Sequence, residues 1–166
     1  MTIIETLLAE MEQEAQATER LLSRVPQEQL SWRPHPKSMS LGQLALHVAT
    51  IPGTVAAMAA LDTMTDPPSG GSPEAATSAE LVPTLRESIA KARKELGGFD
   101  DDAMRATWRF MMGGKELMAM PRMAVARIIM LNHWYHHRGQ LMVYLRMHDV
   151  PLPSVYGPTA DENPFM

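Results

Sequence analysis

Ile4, Leu8, Met11, Ala15, Thr18, Leu22 and Val25 recur at alternating steps of four and three residues. Positions so spaced lie on one face of an α-helix, so the seven residues form a single apolar stripe. Sustained over roughly six turns, such a stripe has to be covered by other elements, as the seam of a helical bundle is. Thr2 and Glu5 supply a capping box at its start. The chain is thereby restricted to folds in which long helices pack side by side.

The remaining sequence repeats the pattern. "RVPQEQLSWRPHPKSMS" ends the first helix, since its prolines remove backbone donors and fix φ. Ser40 and Gln43 form a second capping box ahead of "LGQLALHVATIPGTVAAMAAL", where Pro52 is expected to kink the axis. "DTMTDPPSGGSPEAAT" reads as a loop, followed by a third helix from Ser78 to Leu96, with Pro83 near its start and Gly97 and Gly98 at its end. The acidic run Asp100 to Asp102 reads as a solvated turn. "ATWRFMMGGKELMAM" predicts a short hairpin about Gly113 and Gly114. The last helix has Pro121 near its first position and runs to about His148, with Pro151 and an extended tail beyond. Four long amphipathic segments with little strand predict an all-α four-helix bundle with a short hairpin before the last helix, residues 1–166 forming one domain.

Composition removes several function classes. The formal net charge is −4 with no basic run, which argues against nucleic-acid binding. There is no cysteine, so disulfides, thiolate ligands and a protein-borne thiol nucleophile are all absent. The N-terminus lacks the pattern of a signal peptide, and no run is expected to reach the roughly 18 apolar residues of a membrane span, so a cytoplasmic protein without membrane contact is expected. The 15 methionines read mainly as flexible core filler, with soft metal ligation as the alternative. Apolar surface between Met104 and Met123, and on helix faces outside the histidine stripe, predicts a homodimer.

Three of the chain's six histidines fall in "NHWYHHRGQL", residues 132–141. His133 and His137 are four apart, so their Cβ atoms lie about 5–6 Å from each other on one helix face. Two imidazoles so placed can meet one ion at roughly 2.0–2.1 Å. The same spacing is also common in plain cores. His47 sits on the buried stripe of Leu44, Val48, Ile51 and Val55 of the second helix. Three buried imidazoles each need a hydrogen-bond partner or a metal, and one shared ion would satisfy all three. His136 is turned about 100° from its neighbour and is a candidate for supporting the site or for surface packing. Arg138 and Gln140 are candidates for orienting the site or a substrate, or for a helix–helix or subunit salt bridge. His35 and His148 are assigned solvated or structural roles.

"SLGQLALHVA", "NHWYHHRGQL" and "VPLPSVYGPTADE", with "LSWRPHPKSMS" before them, resemble the DinB-like (DinB/YfiT) metalloenzyme family over nearly the whole chain. The most specific part is H-x-x-x-H-R-G-Q paired with an upstream helical histidine. The resemblance implies a bundle in up-down-down-up order, a divalent metal (nickel or zinc) held by His47, His133 and His137, and frequently a homodimer. It also implies kinship with enzymes that join a low-molecular-weight thiol to an electrophile.

A divalent ion on three neutral histidines would lower the pKa of a water or thiol bound to it. The H-E-x-x-H motif is absent, because Trp134 stands where its Glu would be. That removes the general base of a protease-like mechanism and favours thiol transfer to a small-molecule substrate. Simpler metal-assisted hydrolysis, and a binding or structural protein stapled by its metal, remain alternatives. No residue is assigned as catalytic from the sequence.

Overall fold

The computed structural model describes residues 1–67 and 71–165. It is mostly helical, with one small sheet. Helix α1 (Ile3–Leu22) opens with the expected capping box, Thr2 accepting from the Glu5 N–H while the Glu5 carboxylate accepts from Thr2 N–H. Ile4, Leu8, Met11, Thr18 and Leu22 of its stripe are buried. Helix α2 (Leu41–Ala60) starts on the second box, Ser40 with Gln43. Carbonyls of the proline-rich loop receive its first free donors, Trp32 O from Leu41 N–H at 2.8 Å and Leu30 O from Gly42 N–H at 2.7 Å. A single 3-10 turn (Ser78–Glu80) leads into α3 (Leu81–Leu96). Pro83 falls in the first turn of α3, where a missing donor costs nothing.

The structure corrects several expectations. First, the class is not purely helical. Part of the stretch expected as loop is a strand, β1 (Thr63–Thr65), whose three residues are too few to carry a strand's alternation; residues 68–70 of that stretch lie outside the described residues. It pairs parallel with β2 (Thr107–Met112), Met64 opposite Phe110. The expected hairpin is present: β2 pairs antiparallel with β3 (Lys115–Pro121) across Gly113 and Gly114. Their φ values of 55° and 75° are those of a two-residue turn in which both residues are left-handed. Second, the acidic run is structured, Asp100 capping the short helix α4 (Asp101–Arg105) through the Ala103 N–H. Third, the last helix is not uniformly α. A short α5 (Arg122–Ala124) passes into a π-helical stretch (Val125–Asn132) and then α6 (His133–Arg146).

Helix α2 is long and apolar enough by length and composition to cross a bilayer, contrary to expectation. It is nevertheless a core helix: Leu44, Ala45, Val48, Ala49, Ala56 and Ala59 are buried where it packs on α3 and on the last helix. Its helical run continues through Pro52. That proline cannot donate to the carbonyl of Val48, four residues back. The indole N–H of the fully buried Trp134 takes the place, donating to Val48 O at 2.8 Å. The next residue, Gly53, donates its N–H to Ser88 Oγ of α3 at 2.8 Å, and Ser88 Oγ donates to Thr50 O at 3.1 Å.

Buried arginines fix the last helix. Arg122 donates to Ala59 O at 2.7 Å and to Asp62 Oδ1 at 2.5 Å, tying the start of α5 to the end of α2. Arg138 donates to Glu14 Oε2 at 2.6 Å, Thr18 Oγ1 at 3.1 Å and Tyr156 Oη at 2.6 Å, joining α6 to α1 and the C-terminal tail. Of the roles considered for Arg138, the helix–helix salt bridge is the one found.

The close approach of α2 and α3 generates a prediction. A Cβ on Gly53 would sit 2.8 Å from Ser88 O and 3.0 Å from Ser88 Cα, both backbone atoms, whereas one on Gly139 would meet nothing within 4 Å. Gly53→Ala should therefore cost about 1–3 kcal/mol by forcing the helices apart. Gly139→Ala, in the middle of α6, should gain about 0.5–1 kcal/mol from helix propensity. Urea unfolding of the two variants checks both signs.

Candidate metal centre

His47, on α2, faces His133 and His137, one turn apart at the start of α6. One ring nitrogen from each lies within 4.8 Å of the other two. His47 Nε2 and His133 Nε2 are 3.4 Å apart. Two nitrogens held tetrahedrally at roughly 2.0–2.1 Å from one zinc would be about 3.3–3.4 Å apart, so the donor set fits a single ion. The three rings stand edge to face, with centroids 4.5 Å apart for His47–His137 and His133–His137 and 5.2 Å for His47–His133.

The other nitrogens are held in ways that suit this. His137 Nδ1 is 2.8 Å from Gln140 Oε1, which fixes the ring and leaves Nε2 free to face the centre. His133 Nδ1 is buried without a hydrogen-bond partner among the described residues, although the Ile129 backbone carbonyl acts on the ring and favours its protonated form. Gln140 thus holds the His137 ring in place. His136 is exposed and stands beside the group, its centroid 4.9 Å from that of His137, and is not part of the cluster. His35 lies in an exposed loop, where its Nδ1 accepts from Lys37 N–H at 3.1 Å. His148 packs against Trp32 at 4.4 Å, a structural role.

All three cluster histidines are held neutral. Burial pushes the His47 pKa down to about 4, and the nearby His137 and His133 add to that. Burial also lowers His133 and His137, opposed in part by the Ile129 carbonyl and by Gln140 respectively. Neutral imidazole is the form that ligates a metal.

A pocket of about 220 Å³ opens beside the cluster, with His47 and His133 in its wall. Its other surfaces are mostly apolar, from Ile51, Val55 and Met58 of α2 and Ile129 of the π-helical stretch. Thr50, Thr54 and Met58 were missed by sequence reasoning as site residues. The one available signal was the Pro52-Gly53 pair, which marks α2 as a helix with unusual neighbours at this level.

The mostly helical fold agrees with what comparison with known proteins finds. The model of the DinB superfamily matches residues 10–141, and the chain belongs to that superfamily. The uncharacterized protein YrdA of Bacillus subtilis (strain 168) is 27% identical over 166 aligned residues, covering 96% of this chain and 91% of that protein. Among solved structures, a DinB-like protein from Bacillus cereus ATCC 10987 superposes with a TM-score of 0.71 at 24% identity, covering 92% of this chain and 97% of that one. A second, the DinB-like YjoA of Bacillus subtilis, gives 0.67 at 17% identity, covering 90% and 96%. At these identities the two structures speak to the fold alone.

The depressed histidine pKa values make a pH prediction for chelator-treated protein. In the unfolded chain each histidine titrates near roughly 6.5. The unfolded state therefore binds more protons as the pH falls below that value, and stability declines with it. Stability should be complete above about pH 6.5 and should fall steadily as the pH drops toward the His47 value of about 4. Carboxylates with lowered pKa, such as Glu10 and Glu19, act mainly below their usual value of about 4.5, so above about pH 5 the decline belongs chiefly to the histidines. Thermal melts between pH 7.5 and 5 should show the decline, and His47→Gln should flatten it.

Proposed function

We propose that this chain is a metal-dependent enzyme whose three-histidine centre serves the transfer of an external low-molecular-weight thiol to an electrophilic small molecule. The observation that carries this is the convergence of His47, His133 and His137 within 4.8 Å, with His47 and His133 in the wall of an apolar pocket. These three are the proposed ligands, with Gln140 orienting His137. Imidazole donors suit nickel and zinc. A divalent ion held there would supply Lewis acidity, making a thiol or water acidic enough to act as a nucleophile near neutral pH.

Among the described residues no aspartate, glutamate or fourth histidine joins the group. An ion that only stapled the helices would need a closed set of ligands, whereas three leave a position open, which favours catalysis. With no cysteine in the chain, the thiol has to come from a cosubstrate. Trp134 occupies the place of a protease-type glutamate and is committed to Val48 O, so protease-type hydrolysis lacks its base. In the transfer, a sulfur–carbon bond forms as the bond from carbon to the leaving group breaks. The leaving group departs with the electron pair, and the thiol proton passes to solvent.

Further parts of the reading are proposals too. The chain is one DinB-type domain whose four long helical runs form a four-helix bundle in up-down-down-up order, acting in the cytoplasm. It works as a homodimer: Leu117 and Met118 of β3 and Ile128, Val143 and Met147 of the last helix are exposed apolar side chains that a second copy would cover. Light scattering should give twice the 18.4 kDa of one chain.

Metal content decides the ligand assignment. His47→Ala, His133→Ala and His137→Ala should each lose most bound metal by mass spectrometry, while His136→Ala keeps it. In the parent, chelator should remove a stabilisation of about 2.7 kcal/mol at a hundredfold metal excess over the dissociation constant. Retention of metal by all three ligand variants would overturn the site. For the chemistry, metal-loaded protein should consume monochlorobimane with at least one of bacillithiol, mycothiol or glutathione. No turnover with any of them would remove the transferase reading while leaving the metal centre standing.

A further inference from the structure

Two cavities meet along α2, and they differ in chemistry. The pocket beside His47 and His133 is walled by Ile51, Val55, Met58 and Ile129. Thr50 adds no free donor to it, since its hydroxyl already donates to Leu46 O at 2.9 Å. The second cavity shares Thr50 and Thr54 with the first and continues between α2 and α3 past Thr84 to Glu87 and Lys91. Thr54 is the exposed residue at their junction. A molecule reaching the histidines therefore meets an apolar recess on one side and a charged, open groove on the other.

We infer that the apolar pocket seats a hydrophobic limb of the electrophile, about one ring in size, while the polar thiol approaches over Thr54 from the groove. This rests on the thiol-transfer reading above. Size follows from volume: a dry cavity of about 150 Å³ accepts benzene, and the pocket measures about 220 Å³. One ring or a short branched chain fits within that volume. The division of the two substrates follows from desolvation. Cellular thiols of low molecular weight carry charged and hydroxyl groups, which an apolar wall would strip of water without replacing their hydrogen bonds. Glu87 and Lys91, exposed on the same helix, offer partners of both signs for such groups. Met58 and Ile129, from different elements, are the residues that set the depth of the recess.

Hydroxamates serve as probes, because the hydroxamate group takes the metal and the limb takes the pocket. Calorimetry on metal-loaded protein should show benzohydroxamate binding at least about tenfold more tightly than acetohydroxamate. Ile129→Trp and Met58→Trp should each bring that ratio close to one while metal content and acetohydroxamate affinity stay at the parent level. The two substitutions lie on different helices, so a folding failure in one leaves the other to decide. Equal affinities for the two hydroxamates in the parent, or an unchanged ratio in both variants, overturns the inference. Acetohydroxamate binding and metal content report on the metal centre alone, which keeps its failure distinct. If no metal is bound, benzyl alcohol followed by NMR on the chelated protein decides instead: binding lost in Ile129→Trp supports the seat, and no binding overturns it.

Discussion

The hydrogen bond from Trp134 to the carbonyl of Val48 fixes the relation between the two helices that build the centre. It exists because Pro52 cannot use that carbonyl, and an acceptor left unpaired at such depth costs about 1–3 kcal/mol. Its two ends adjoin the cluster directly. Val48 follows His47 in the chain, and Trp134 follows His133, so the bond sets the height and rotation of α6 against α2 one residue away from each ligand. On the next turn Gly53 and Ser88 join α2 to α3 in a similar way, a polar side chain occupying a backbone group that the proline has disturbed. A residue that would ordinarily weaken a helix here supplies the means of positioning its neighbours.

The last helix needs such positioning because it changes character along its length. The π-helical stretch Val125–Asn132 is wider than an α-helix and ends at His133. It brings Ile129 into the pocket wall and its carbonyl to the His133 ring. A wide turn has fewer good internal contacts and has to be held from outside. Arg122 does this at the start, bound to α2 and stacked 4.8 Å over Phe99. Arg127 pairs with Glu10 of α1 at 2.7 Å in the middle, and Arg138 with Glu14 beyond. Of these, Arg122 and Arg138 are buried. A buried charge contributes little net stability but is costly in any arrangement that takes its partners away, which holds the last helix to one position.

Features carried by local sequence were legible. The stripe of α1, both capping boxes, the Gly113-Gly114 turn and the i, i+4 pair His133 and His137 all follow from contacts within a few residues, and the structure has each of them. What was not legible depends on partners distant in the chain. β1 is a strand only because β2 lies beside it, and α2 resembles a membrane span because it is covered on several sides. Arg138 adjoins His137 in sequence yet turns to α1, a choice made by Glu14 and Tyr156. The consequence of Pro52 was foreseen as a bend, whereas the decisive effect is the carbonyl that it releases to a tryptophan more than eighty residues away. Placing His47 with His133 and His137 was possible because all three lay on stripes already read as buried.

The cluster's electrostatics complete the argument for what it is suited to hold. Three half-buried imidazoles with one unpartnered Nδ1 form a costly arrangement for a protein that needs only a packed core, where three leucines would contribute more. Burial that holds them neutral removes the protons that would compete with a cation. The same burial penalises an isolated charge, so a cation is welcome only where ligands replace its lost water. Three converging nitrogens do so on one side, while the pocket leaves the other side to a ligand that need not be part of the protein. The site therefore discriminates between protons and a divalent ion by number of donors, because a proton can use one imidazole at a time and an ion can use three.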